Sequence, residues 1–363
     1  AGATSGVPGT VMGKIDRFLK LRNDRGASVF HLTVGRPPML RASGLMESIR
    51  YRTISETDFT EMMKPVTPPK IWEEFVQTSD ADFAYEIPNV ARYRVNLFRQ
   101  QRGGGAVFRV IPTKIMTIEQ LGLPDQLRRI GSIRSGLVLV TGPTGSGKST
   151  TLAAIVDLIN ETRGLHIITI EDPIEFVHPN KKCLVHQREI GSQAKSFAEA
   201  LKSAGREDPD VILVGEMRDL ETIAMALSAA ERGTLVFGTL HTNNAAKTMD
   251  RIISVFPASE QEGARNILGE TIRAVVAQQL MPRIGGGRVA AMEILFASPA
   301  IGNMIREGKT SQVTSAIQTG VKEGMIDMDG SIRRLYNDGE ITARTAYDKA
   351  IDKEQFKNLQ ETA

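Results

Sequence analysis

Residues 142–150 read Gly142-Pro143-Thr144-Gly145-Ser146-Gly147-Lys148-Ser149-Thr150, which satisfies the pattern GxxxxGK[ST]. An apolar run, Leu137–Val140, leads straight into this loop, and Ser149 to Val156 continues as a helix-forming segment. Strand, glycine loop and helix in that order form a cradle for phosphate. The glycines let successive backbone N–H groups turn inward without a Cβ in the way. The helix N-terminus adds partial positive charge. In such a loop the lysine bridges the β- and γ-phosphates of a nucleotide and the hydroxyl after it ligates Mg²⁺, roles that fall to Lys148 and Ser149.

The surrounding sequence supplies the sheet that such a loop needs. After Gly136, short runs of Val, Ile and Leu alternate with helix-length segments: Leu137–Val140, Ile167–Ile170, Val211–Val214, Leu235–Leu240 and Val289–Phe296. Near-continuous apolar strands separated by helices predict an α/β domain with a parallel-rich sheet buried on both faces. The last seventy or so residues, from about 297, read as C-terminal helices with glycine-marked ends.

The front of the chain has a different texture. The opening ten residues are small, Gly- and Pro-rich and predicted to be loose. Ile15, Phe18 and Leu19 recur at helical spacing, and Tyr93–Arg99 alternates at period two before Gly103-Gly104-Gly105 turns into Ala106–Ile111. The pattern predicts a small α+β domain over 1–112, a linker over 113–135 and the larger domain over 136–363.

At 363 residues the chain is too long for one ordinary domain. No apolar run approaches the roughly 20 residues that cross a bilayer. A single cysteine, Cys183, excludes an internal disulfide or a cysteine-rich metal site. These features predict a cytoplasmic protein. Residues 1–135 carry 20 Lys and Arg against 13 Asp and Glu, and the remainder carries 25 against 29. A basic front half suits anionic partners, but aromatics at 5% give no stacking groove for single-stranded nucleic acid, so no nucleic acid is expected.

In an open parallel sheet the carboxyl ends of the strands line the ligand crevice. Three strands deliver polar groups there: Glu171-Asp172-Pro173-Ile174-Glu175 after the first, Gly215-Glu216-Met217-Arg218-Asp219 after the second, and His241-Thr242 after the third. An acidic residue after a strand is commonly a helix cap, and Asp219 reads as one. Hydrolysis also needs a carboxylate that polarises the attacking water. Spacing does not choose among Glu171, Glu175 and Glu216.

Three longer runs resemble the secretion ATPase superfamily, and within it the type IV pilus retraction motors. Ile168–His178 resembles the family's Asp box, Arg206–Asp219 its Walker B segment with glutamate in place of the usual aspartate, and Phe237–Thr242 its His box. Lys247–Ile253, Arg288–Ile294 and Ser315–Gly320 extend the likeness toward the C-terminus. Leu40–Gly44, Tyr93–Asn96 and Ala106–Arg109 carry it into the front domain. The resemblance implies a RecA-like ATPase domain behind a PAS-like one, with ATP or ADP and Mg²⁺ as ligands. It implies Glu175 as general base, Glu216 and Ser149 at Mg²⁺, His241 reading the γ-phosphate, and Arg94 and Arg109 reaching nucleotide phosphates. It further implies a homohexameric ring at the cytoplasmic face of the inner membrane, acting on a membrane platform protein without inserting in the bilayer. The alternative readings are a related secretion or pilus-assembly motor, an accessory retraction ATPase and, less favoured, a nucleic-acid translocase; assembly motors of the superfamily carry a four-cysteine zinc insertion, which a single cysteine does not supply. Two positions depart from the retraction pattern. The first His-box histidine is replaced by Thr234, and the motif AIRNLIRE reads Ala300 to Glu307 with Gly302 in place of its arginine.

Overall fold

The computed structural model describes residues 13–360 apart from 26, 28, 43, 44, 89, 112 and 113. The opening segment read as loose lies outside the described residues, as do Pro112 and Thr113, where the linker was expected to begin. The chain divides into two compact units between residues 113 and 114.

Among the described residues the first unit holds six strands: β1 Val29–Thr33, β2 Met39–Ala42, β3 Leu45–Ser48, β4 Asp80–Ile87, β5 Ala91–Gln100 and β6 Gly103–Ile111. They form one sheet in the order β3-β2-β1-β6-β5-β4, antiparallel throughout. Along β5 the alternation expected of a half-buried strand is complete: Ala91, Tyr93, Val95 and Leu97 are buried, while Arg94 points to the other face and is exposed. The buried face packs on the helices Lys14–Asp24, Glu56–Met63 and Pro69–Thr78 through Ile15, Leu19, Phe59 and Phe75. Phe30 and Phe108 meet across β1 and β6 with ring centroids 5.6 Å apart. Gly104 is fixed by this core, because a Cβ there would strike the Phe59 ring.

The second unit holds seven strands: β7 Gly136–Thr141, β8 His166–Glu171, β9 Leu184–Glu189, β10 Val211–Val214, β11 Leu235–Leu240, β12 Ile272–Pro282 and β13 Arg288–Phe296. Their order is β13-β12-β7-β11-β10-β8-β9, and every neighbouring pair is parallel except β12 with β13. The even apolar character of β7 follows from burial on both sides. Leu137 and Leu139 enter one core with the helices Leu220–Glu231, Ala245–Ser254 and Gln261–Thr271. Val138 and Val140 enter the other, with the helix Lys148–Thr162. β11 lies between β7 and β10, so the strand that carries the phosphate loop is separated by one strand from the one that leads into Glu216.

Residues 114–135, read above as a linker, fold onto this unit: Ile118, Leu127 and Ile130 are buried in the core that covers Val138 and Val140. The helices Met328–Asn337 and Ala343–Lys349 close a smaller cluster with Met281, Ala291 and Phe356. Gly302 has a packing reason. It lies in the helix Pro299–Arg306, where a Cβ would come within 2.7 Å of the Gly269 carbonyl oxygen of the helix Gln261–Thr271. A Cβ on Gly269 would in turn lie 2.8 Å from the Gly302 carbonyl oxygen. Two glycines thus bring two helix backbones into contact.

Candidate active site

β7 ends at Thr141, and the loop 142–147 turns into the helix that starts at Lys148. Gly142, Gly145 and Gly147 adopt φ of 145°, 79° and 89°, the region that favours glycine. A side chain at Gly142 would also strike the Gln278 carbonyl oxygen. Lys148 is nearly buried, and its Nζ donates to the Gly142 and Pro143 carbonyl oxygens at 2.8 and 3.2 Å. Burial lowers its pKa from the usual lysine value, against the pull of Glu216 and Glu175.

The loop is clasped by a residue that the sequence reading missed. Gln278 of β12 is buried, its Oε1 accepts from Thr151 Oγ1 at 2.7 Å, and its Nε2 donates to the Ser146 carbonyl oxygen at 2.7 Å. An amide inside the apolar run 274–281 was the available signal, but the strand itself went unread. β12 begins directly where the helix Gln261–Thr271 ends, with no residue between them, and the nearby Gly269 lies within the helix and does not mark the junction.

The other strand ends converge on the loop. A cavity of about 570 Å³ is lined by Thr144, Lys148, Ser149, Glu175, Glu216 and His241, among others. Glu171, Arg218 and His178 also line it. Glu216 accepts a hydrogen bond from Arg218 and pairs with His241 Nε2 at 2.8 Å. Burial pushes the Glu216 carboxyl up, but Arg218 and His241 outweigh it and hold the group below the ordinary carboxylate range. It is therefore an anion at neutral pH.

Glu171 and Glu175 part company here. Burial raises the pKa of Glu171, although its carboxylate accepts from Thr169 Oγ1 at 2.6 Å, from Gln187 Nε2 at 3.2 Å and from the Glu175 backbone N–H. Three protein donors therefore already occupy this carboxylate. Glu175 is exposed to the cavity. Asp219 caps the helix Leu220–Glu231, accepting from Thr222 N at 2.8 Å, as its position predicted. Thr234 precedes β11, and its carbonyl oxygen accepts from Gly136 N. That is the end of the strand opposite His241, about 20 Å away at the rise of an extended chain.

Arg94 and Arg109 belong to the first unit. They stand directly opposite one another in the β5–β6 register, both exposed, with Arg94 Nε 3.8 Å from Asp82 Oδ1.

A phosphate loop between the first strand and helix of a parallel sheet, faced by carboxylates at the ends of neighbouring strands, defines a RecA-like P-loop nucleoside triphosphatase. The chain belongs to the family of type II/IV secretion system proteins, which it matches over residues 40–291. It is 51% identical to the type IV pilus retraction ATPase PilT of Pseudomonas aeruginosa, over 94% of this chain and 99% of that protein. It is 52% identical to the twitching motility protein of Neisseria gonorrhoeae, over 88% of this chain and 86% of the relative. The crystal structure of the pilus retraction motor PilT with bound ADP superposes with a TM-score of 0.89 at 43% identity, covering 95% of this chain and 99% of that one.

Proposed function

We infer that this chain is a Mg²⁺-dependent ATPase that powers retraction of a type IV pilus. The observation that carries the chemistry is the meeting of Lys148, Glu175 and the Glu216–His241 pair in one cavity at the mouth of the phosphate loop. The retraction assignment rests on the likeness to PilT across nearly the whole chain.

In this reading the backbone N–H groups of 144–148 and the Lys148 ammonium bind the β- and γ-phosphates. Lys148 exchanges its two loop carbonyls for phosphate oxygens. The donors present suit Mg²⁺: the Ser149 hydroxyl stands in the first turn of the helix, and Glu216 is held as an anion in the same cavity. Among the described residues no cluster of three or more His, Cys, Asp and Glu forms an all-protein metal cage. Magnesium on a nucleotide needs none, since it keeps waters and phosphate oxygens as ligands. Bound there, the ion supplies charge neutralisation on the triphosphate. Glu175 takes a proton from water as the water oxygen bonds to the γ-phosphorus and the bond to the ADP oxygen breaks. Its exposure supports that role over Glu171, whose oxygens are already engaged. His241 keeps Glu216 oriented and donates toward the γ-phosphate.

Arg94 and Arg109 reach nucleotide phosphates from the first unit, here read as PAS-like, as an arginine from a mobile partner does in related NTPases. Six copies form a ring, and the domain motion driven by hydrolysis acts on a platform protein at the cytoplasmic face of the inner membrane. Among the described residues no helix is long and apolar enough to cross a membrane. The test is to express the gene in a retraction-deficient strain and score twitching, beside an ATPase assay of the purified protein. Hydrolysis without restored twitching would remove retraction; absence of both would remove the whole reading.

A further inference from the structure

The edge strand β9 does more than finish the sheet. β8 and β9 pair in parallel with Thr169 opposite Gln187 and Glu171 opposite Glu189, so these four side chains share one face. The segment that leaves β8 at Glu171 folds back over that face before the chain returns as β9. Its backbone is held there by the two β9 side chains. Glu189 Oε2 accepts from Ile174 N at 3.0 Å. Gln187 Nε2 donates to the Phe176 carbonyl oxygen at 2.8 Å, and Gln187 Oε1 accepts from His178 N at 2.8 Å. Gln187 Nε2 also reaches Glu171 Oε1 at 3.2 Å, and Glu171 in turn accepts the Glu175 N–H.

The residue before Glu175, the residue after it and Glu175 itself are therefore each pinned through the backbone, while the Glu175 side chain is left exposed. Gln187 spends both polar atoms on this segment, and Glu189 spends Oε2 on it while Oε1 accepts from Ser192 Oγ at 3.4 Å. Glu189 is itself buried. A catalytic base gains from such a frame, because a displacement of about 1 Å can cost on the order of a hundredfold in rate.

We propose that Gln187 and Glu189 are positioning residues for hydrolysis: they pre-form the bend that aims Glu175 at the attacking water. The inference rests on Glu175 as the base, and the experiment separates the two claims. Glu175→Gln is assayed first in the full-length protein. If it turns over ATP at the full rate, the base assignment falls, and this proposal falls with it before β9 is touched. If turnover is lost, Gln187→Leu is compared with wild type for steady-state turnover and for binding of a fluorescent ATP analogue.

The expected result is a fall in kcat on the order of a hundredfold, with the dissociation constant for the analogue and the KM for ATP within about twofold of wild type, as for any interaction made only in the transition state. Glu189→Gln, which keeps an oxygen to accept from Ile174 N, retains most of the rate, whereas Glu189→Leu does not. Gln187→Leu added to Glu175→Gln gives no further loss, because it acts through the same carboxylate. Should Gln187→Leu fail to fold, Gln187→Glu serves instead. It keeps the acceptor for His178 N, removes both donations, and is expected to show the same fall in kcat. Additive losses in the double variant, an unchanged kcat, or equal damage to binding and turnover would each overturn the proposal.

Discussion

In the first unit the two arginines of interest stand in the middle of strands, on the open face of an antiparallel sheet. In the second, the lysine and every carboxylate of the site lie at or just past the end of a parallel strand. Arg94 and Arg109 are held by register alone: they face each other across β5 and β6, and the contact of Arg94 with Asp82 is long and half-exposed on both sides. Such a pair adds little stability, and like charges directly opposite repel. Lys148, Glu171 and Glu216 are each tied by two or more hydrogen bonds and shifted in pKa by burial and by their partners. A parallel sheet collects fixed groups at one edge. The antiparallel face of the first unit presents exposed charge instead.

The largest expected effect falls on the fixed site. Lys148→Ala removes the charge that meets the γ-phosphate and should lower ATP turnover by on the order of 10³-fold or more. A steady-state assay that finds ordinary turnover would dissolve the contrast between the units. Glu175→Gln should lose on the order of 10²-fold or more and still bind the fluorescent ATP analogue. If Glu171→Gln is the more damaging change, the exposed and the engaged carboxylate have been assigned the wrong way round.

Two stability measurements sharpen the same comparison. Gly302→Ala should destabilise the second unit by about 2 kcal/mol, the usual cost of forcing packed elements apart, read as a lower denaturation midpoint. An unchanged midpoint would mean that the Gly269–Gly302 contact yields easily. His178 is buried, and burial lowers its pKa to about 4. The unfolded chain takes that proton near pH 6.5 and the folded one only near 4, so stability falls with pH across this window. Between pH 8 and pH 5 the loss from this group is about 2 kcal/mol, and His178→Gln should lack it. Equal acid sensitivity in variant and wild type would count against the buried, neutral imidazole. The smallest effect belongs to the exposed arginines of the first unit. Arg94→Ala and Arg109→Ala should each slow turnover by roughly tenfold and leave the melting of the second unit unchanged. Unaltered rates in both would confine the chemistry to the second unit.

Legibility in the sequence followed the same division. β10 and β11 have the boundaries that their apolar runs predict, β7 and β8 extend one residue further at each end, and β13 starts one residue earlier. Each is buried on both faces and marked by glycine or by polar residues beyond. β9 and β12 were not legible. β9 is a polar edge strand, Leu184–Glu189, whose side chains serve the segment folded over it. β12 continues a helix without a break. The site residues missed, Gln187, Glu189 and Gln278, come from these two strands, because a polar side chain is recognised as purposeful only when the strand that carries it is known. The segment 114–135 misled in the other direction. Its Gly and Pro content reads as a linker, yet it buries Ile118, Leu127 and Ile130.

The sequence alone determined the phosphate loop, the parallel sheet behind it and the short set of carboxylates that could meet a nucleotide. These depend on local spacing and on the period of apolar residues, which a linear chain displays directly. Only the tertiary structure distinguished the carboxylate with free oxygens from the one whose oxygens are taken, and only it supplied a packing reason for Gly302. Both turn on which backbone groups arrive from segments distant in sequence, and the pairing of β8 with β9 and the crossing of two helices decide that.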